Sequence, residues 1–135
     1  MLKRDLRLSY LAHRAALSDE NIRLQSEAIT ALCLTLPIWA YATYHIFLSI
    51  PSKGEVDTRF LIAAIREKGG KIAVPKIAPG RQLTHHFLQE NTVLRENNWG
   101  IPEPEGGVIV RATDVDVVFL PLLAFDRKGY RVGYG

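Results

Sequence analysis

The chain has 135 residues, one cysteine and a formal charge of +3, a length that fits one domain around one hydrophobic core and rules out an internal disulfide. Hydrophobic residues make up 47% and charged residues 23%, which excludes a disordered or fibrous chain. No apolar run approaches the roughly 18 residues of a membrane span, and the start Met1-Leu2-Lys3-Arg4-Asp5 lacks the apolar core of a signal peptide, so the expected location is cytoplasmic.

Residues 1 to about 17 read as a helix. Ser18-Asp19-Glu20 is a helix start, with Ser18 at the N-cap and acids in the first turn. This second helix carries Ile22, Ile29, Leu32 and Cys33 towards a core and stops near Pro37. The apolar run Tyr44 to Ile50, ended by Pro51, reads as a buried strand. Lys53-Gly54 is a turn. Asp57 to Lys68 is helical, with Phe60, Leu61, Ala64 and Ile65 on one face, and Gly69-Gly70 ends it. Lys71 to Pro75 is a second strand. From Leu83 to Leu94 the pattern fits two short strands or one hairpin, around His86-Phe87-Leu88 and Thr92-Val93-Leu94. Asn97 to Gly107 is a Pro/Gly loop. Val115 to Leu123 is the most apolar stretch and reads as a central parallel strand buried on both faces. Asp126-Arg127-Lys128-Gly129 is a turn, and Tyr130 to Gly135 opens a glycine loop. Helices alternating with apolar strands predict an α/β domain with a mostly parallel sheet.

Two segments carry chemistry. At about 100° per residue, Lys3, Arg7 and Arg14 share a wedge of about 40° on the first helix. Tyr10, Leu17 and Leu6 flank the wedge on one side; Leu11, Ala15 and Leu8, with Arg4 among them, flank it on the other. Cations between apolar flanks either snorkel to water, pair with acids such as Asp19 or Glu20, or meet an anion such as phosphate; a basic helix for nucleic acid is a further reading. Gly129, Gly133 and Gly135 follow the apolar strand, with Arg131 among them. Glycines let backbone N–H groups approach phosphate oxygens, and the C-terminal end of a parallel strand is where α/β proteins place ligands. The spacing matches neither the Walker loop nor the dinucleotide fingerprint, so an ordinary turn stays open. His13, His45, His85 and His86 form no metal-ligand spacing, and His85-His86 is expected on a strand edge or loop.

Four segments occur in the order of a known family: Lys3-Arg4-Asp5-Leu6-Arg7 with Arg14 and Leu17-Ser18; Ile46-Phe47-Leu48-Ser49 with Glu55-Val56-Asp57-Thr58; Trp99-Gly100-Ile101-Pro102-Glu103-Pro104; and Phe119-Leu120-Pro121 followed by Leu123 to Gly135. Together they resemble the 5-formyltetrahydrofolate cyclo-ligase family, also called methenyltetrahydrofolate synthetase. The resemblance implies a single domain over residues 1–135, of three-layer α/β architecture with a mostly parallel sheet flanked by helices. That architecture is Rossmann-like and akin to sugar-phosphate isomerases and CoA transferases. It also implies conversion of 5-formyltetrahydrofolate to 5,10-methenyltetrahydrofolate with ATP and Mg2+ and release of ADP and phosphate.

By the same resemblance Lys3, Arg4, Asp5, Leu6 and Arg7 on the opening helix, and Arg131, Val132, Gly133, Tyr134 and Gly135 in the loop, bind ATP; Arg14 is added from the helical geometry. Arg131 and Tyr134 are the catalytic candidates. Leu48, Glu55, Trp99 and Tyr134 contact the folate, with Glu55 accepting from pterin N–H groups, against the plainer reading of a solvent carboxylate in a turn. Trp99 otherwise reads as a hydrophobic plug. The substrate is the folate itself or its polyglutamylated form, and a monomer without membrane or nucleic-acid partner is expected. Two departures stand out. Leu122 replaces the glycine usual after the strand proline, where its bulk narrows the pocket or shifts the loop. The chain also ends at Gly135, inside the loop, before the aspartate that holds magnesium in the family, so no metal ligand is assigned. The alternative reading is a catalytically inactive relative that binds nucleotide or RNA.

Overall fold

A computed structural model describes residues 2–133. The first helix, α1, spans Lys3–Ala15 and the second, α2, Asp19–Cys33. Ser18 caps α2 as its sequence predicts, its Oγ accepting from the Asn21 amide at 3.1 Å. The inward face of α2 is polar, however. Ser26 and Thr30 are buried, whereas Ile29 and Leu32, expected in the core, are exposed. The cause is the neighbour. Helix α2 packs on the start of the third helix, α3 (Arg59–Glu67), where the Asp57 amide donates to Ser26 Oγ at 2.8 Å. An unpaired backbone donor at such a contact needs an oxygen, which Ile or Leu cannot supply. Ile22 and Cys33 are half-buried, and burial pushes the Cys33 thiol pKa up.

Strands β1 (Thr43–Ile46), β2 (Lys71–Ile77), β3 (Leu83–Phe87) and β6 (Val117–Phe119) form the main sheet in the order β3-β2-β1-β6. β1 runs parallel to β2 and to β6, and β3 antiparallel to β2. This is the expected α/β class, a mixed sheet with parallel strands at its centre. Tyr44 and Ile46 of β1 and Ile72 and Val74 of β2 share one face, and α3 returns Leu61, Ile62 and Ile65 to the same cluster. Burying each such side chain contributes about 1.5–3 kcal/mol. Among the described residues no helix is long and apolar enough to cross a membrane.

Three expectations change. The stretch Val115 to Leu123 supplies β6, parallel as read, but among the described residues β6 pairs only with β1 and lies at the sheet edge, with Val118 52% and Leu120 54% exposed. β-branched content marks a strand; neighbours distant in sequence decide whether it is covered. Asp116 anchors this strand, its carboxylate accepting from the Ala42 and Thr43 amides at 3.1 and 2.9 Å. Second, of the two readings of residues 83–94 the two short strands hold and the hairpin does not: β3 joins the main sheet, while β4 (Leu94–Glu96) pairs with β5 (Pro102–Pro104), a strand inside the expected loop. Proline tolerates such a short edge position because its missing N–H faces away from the partner. Third, Arg131–Val132 is strand β8, antiparallel to β7 (Ala124–Phe125), rather than open loop. Asp126 closes that hairpin by accepting from the Lys128 and Tyr130 amides at 2.8 and 3.0 Å.

His85 and His86 lie in β3, in keeping with the expected strand edge. Across β2, His45 Nε2 and His85 Nδ1 are 2.9 Å apart. Burial, and then the neighbouring His85, lowers the His45 pKa from 6.5 to about 4. Between those values the unfolded chain takes up a proton that the folded chain refuses, so stability rises with pH there. The urea midpoint is therefore expected to fall as pH is lowered from 6.5 to about 4. In His45→Phe that slope should shrink. A midpoint that stays flat across this window in the parent chain would contradict the assignment.

Candidate active site

The segment between β1 and α3 makes no strand ladder, so side chains satisfy its backbone. Ser49 Oγ donates to the Val56 carbonyl and accepts from the Thr58 amide at 2.9 Å. The Thr58 hydroxyl donates to the Phe47 carbonyl at 2.9 Å. Inside this closed segment a 3-10 turn, Pro51–Lys53, leads to Gly54 at φ +62°. A Cβ on Gly54 would lie 3.3 Å from the Arg14 carbonyl oxygen, so positive φ and close approach to α1 both call for glycine. The next residue, Glu55, is only 7% exposed, and its Oε1 accepts from the Ile50 amide at 2.7 Å. It is not the solvent carboxylate that a turn alone would suggest.

Glu55 and Leu48 line a cleft of about 630 Å³. Ile22, Phe60, Leu94 and Pro102 supply its apolar walls, and Ser49, Gly54 and Thr58 are also at its surface. Its charged lining is largely paired. Arg23 meets Glu20 at 2.6 Å and Glu27 at 3.1 Å on exposed α2. Arg59 meets Asp57 at 2.6 Å and holds the Asp57 carboxyl pKa below the usual carboxylate value. Asp19 completes the rim.

Trp99 does not line this cleft. It is 58% exposed in the turn between β4 and β5, so it is no hydrophobic plug either. The hairpin contributes Leu94 and Pro102 instead. It is held to β2 through Glu103, whose Oε2 accepts from the Ile77 amide at 2.6 Å, and through Lys76 Nζ, which donates to the Pro104 carbonyl at 3.0 Å. Leu122 is not among the cleft's lining residues.

On α1, Lys3, Arg4 and Asp5 are exposed, and Leu6 and Arg7 are half-buried. Arg7 Nε donates to the Gly133 carbonyl at 3.1 Å and Arg14 Nη2 to the Leu122 carbonyl at 2.6 Å. The wedge thus meets backbone carbonyls of the C-terminal hairpin, a partner that the helical spacing does not name. The contact brings α1 against β7 and β8, so Lys3 to Arg7 share one region with Arg131, Val132 and Gly133. Arg14 lies further along, between the hairpin and Gly54. Arg131 is an exposed strand residue; Tyr134 and Gly135 fall outside the described residues. Among those described, no three His, Cys, Asp or Glu side chains group as a metal cage. Sequence reasoning assigns no role to Ser26, Ser49 or Thr58. Ser49 and Thr58 stand in the segments that carry the family resemblance, but hydroxyls flanking a turn are common in loops, and Ser26 lies within α2.

The chain is similar to known proteins of one family. The model of the 5-formyltetrahydrofolate cyclo-ligase family matches residues 1–135. A probable 5-formyltetrahydrofolate cyclo-ligase of Schizosaccharomyces pombe is 31% identical over 98% of this chain and 67% of its own length. The mouse (Mus musculus) 5-formyltetrahydrofolate cyclo-ligase is 32% identical over 98% of this chain and 69% of its own. The NMR structure of Aquifex aeolicus 5,10-methenyltetrahydrofolate synthetase superposes with a TM-score of 0.85 at 32% identity, covering all of this chain and 68% of that one. The Mycoplasma pneumoniae synthetase, at 21% identity and a TM-score of 0.72, shares the fold. The chain spans about two thirds of the length of these relatives, and with its family model matched from end to end it belongs to the 5-formyltetrahydrofolate cyclo-ligase family.

Proposed function

We propose that the chain binds 5-formyltetrahydrofolate in the Glu55 cleft and, with ATP, takes part in its conversion to 5,10-methenyltetrahydrofolate, ADP and phosphate. One observation supports this above the others: a buried carboxylate at the surface of an apolar-walled cleft. A pterin is a flat ring edged by N–H donors; it buries its faces on residues such as Leu48 and Phe60 and offers its donors to Glu55. The formyl oxygen is a poor leaving group. It attacks the terminal phosphorus of ATP, ADP departs, and the second folate nitrogen then attacks the formyl carbon and expels phosphate. Developing charge on the phosphoryl oxygens calls for fixed cations. Lys3, Arg7 and Arg131 are the proposed suppliers, with Arg4, Asp5, Leu6, Val132 and Gly133 beside them and Arg14 nearer the cleft.

The region fits a polyphosphate. Among the described residues a Cβ on Gly133 would meet nothing within 4 Å, which leaves room for a phosphate to approach the backbone there. The described residues offer magnesium no cage of their own; when bound with the nucleotide it supplies charge neutralisation at the phosphates. Tyr134, Gly135 and Trp99 keep the roles that the family resemblance implies. The same reading takes a monomeric cytoplasmic protein that accepts the folate with or without further glutamates. The test is to mix the protein with 5-formyltetrahydrofolate, ATP and Mg2+. The methenyl product's near-ultraviolet absorbance is expected to appear, and folate is expected to stabilise the chain against heat. Absence of both, with RNA retained in a gel shift at moderate salt, would favour the inactive nucleic-acid-binding reading instead.

A further inference from the structure

We infer that Thr58, with Ser49, is a positioning residue for folate binding: a hydroxyl clamp that sets where the Glu55 carboxylate stands in the cleft. The inference rests on the reading of Glu55 as the pterin acceptor. Its basis is a proton count. Ser49 has one hydroxyl proton, and it goes to the Val56 carbonyl; its oxygen then accepts from the Thr58 amide at 2.9 Å. Thr58 has one hydroxyl proton, which goes to the Phe47 carbonyl at 2.9 Å, and the two hydroxyl oxygens lie 3.1 Å apart. The clamp therefore joins the end of β1 to the start of α3 and closes the segment that carries Glu55. From outside, Ser26 on α2 holds the Asp57 amide at 2.8 Å.

Thr58 occupies the N-cap position of α3, yet its side chain makes no capping bond. A cap threonine normally turns its oxygen to its own helix; this one turns away from α3 and ties back to the loop. Ser26 and Thr58 are each 1% exposed, so water competes little for their bonds, while Ser49 is half-buried at the cleft surface. Inside the closed segment, Glu55 is fixed from both sides: its own Oε1 takes the Ile50 amide, and the carbonyl of the following residue takes the Ser49 hydroxyl. A ligand acceptor gains specificity when its rotamer and backbone are held before binding. The clamp supplies that, at a place with no strand ladder to do so.

The experiment is titration calorimetry of the intact chain with 5-formyltetrahydrofolate. Thr58→Val keeps the shape and removes the hydroxyl. It is expected to weaken folate binding about tenfold, through a small displacement of the acceptor, while Thr58→Ser stays within about threefold of the parent. Rescue by serine separates clamping from packing, because serine lacks the methyl that valine retains. Ser49→Ala breaks the clamp from its other side and is expected to weaken binding similarly, which keeps the inference exposed if Thr58→Val does not fold. Parent-like affinity in the folded hydroxyl-free variants, judged by circular dichroism, overturns the clamp. If Glu55→Gln itself binds folate like the parent, the reading of the cleft fails and takes the clamp with it. If Glu55→Gln is weakened and Thr58→Val is not, the clamp alone is wrong.

Discussion

Glu55→Ala is expected to weaken binding of 5-formyltetrahydrofolate about 100-fold, the largest functional effect of any single change in the described residues. The substitution acts twice. A ligand that places N–H donors on a buried carboxylate gains about 1.5–3 kcal/mol from charge-assisted hydrogen bonds, and alanine forfeits it. The Ile50 amide also loses the acceptor that Glu55 provides at 2.7 Å. Leaving that donor buried and unpaired costs about 1–3 kcal/mol of stability, so the empty protein should melt earlier too. Glu55→Gln separates the two effects. Its amide oxygen still accepts from Ile50, so stability should be nearly kept, whereas the lost charge weakens folate binding by about tenfold. Calorimetry and thermal unfolding on both variants check this. Equal affinity in parent and alanine variant would remove Glu55 from the binding site, whatever happened to stability.

Gly70→Ala is expected to destabilise the fold by about 2 kcal/mol, from overpacking. Gly70 sits where α3 turns into β2. A Cβ there would lie 2.8 Å from Ile65 Cγ2 and 3.0 Å from two carbons of the Tyr44 ring. Neither neighbour has room to retreat. Ile65 is 0% exposed. Tyr44 is pinned by its hydroxyl, which donates to the Ile38 carbonyl at 2.8 Å, and by stacking on Trp39 at 5.5 Å between ring centroids. A domain of this size loses about 3–5 °C of melting temperature per kcal/mol, so a drop of about 6–10 °C is the readout. Gly69→Ala is the control. Gly69 has φ +81°, and a Cβ there would meet nothing within 4 Å, so it reports backbone strain alone, about 1 kcal/mol. If Gly70→Ala melted no earlier than Gly69→Ala, the close packing at Gly70 would not be limiting.

Much of the element order was legible along the chain, and so was the family. Ser18 announced its helix because an N-cap is a local device: one hydroxyl and an amide three residues away. The run around Tyr44–Ile46 and the spacing of Leu61 and Ile65 marked a strand and a helix with facing apolar sides, since both periods are read within a few residues. Leu48 and Glu55 were named together through the resemblance, and both line one cleft. Misreadings occurred where the answer depended on a distant neighbour. Ile29 and Leu32 looked like core, but the surface opposite α2 presents the Asp57 amide, which Ser26 accepts, and the buried Thr30 bonds the Ser26 carbonyl of its own helix. Trp99 read as a hydrophobic plug on its loop context alone, yet its hairpin turns Leu94 and Pro102 to the cleft and leaves the indole exposed.

The amino-acid sequence by itself determined which segments become helix or strand, where α2 begins, that α1 carries a cationic wedge, and to which family the residues correspond. These depend on local geometry and on residue identity. Tertiary structure decided that Val118 faces outward at a sheet edge and that the Glu55 carboxylate is buried. It also decided that Arg7 and Arg14 find carbonyls 126 and 108 residues away. Burial and hydrogen-bond partnership are properties of pairs brought together by the fold; no spacing along the chain encodes which carbonyl a guanidinium will meet.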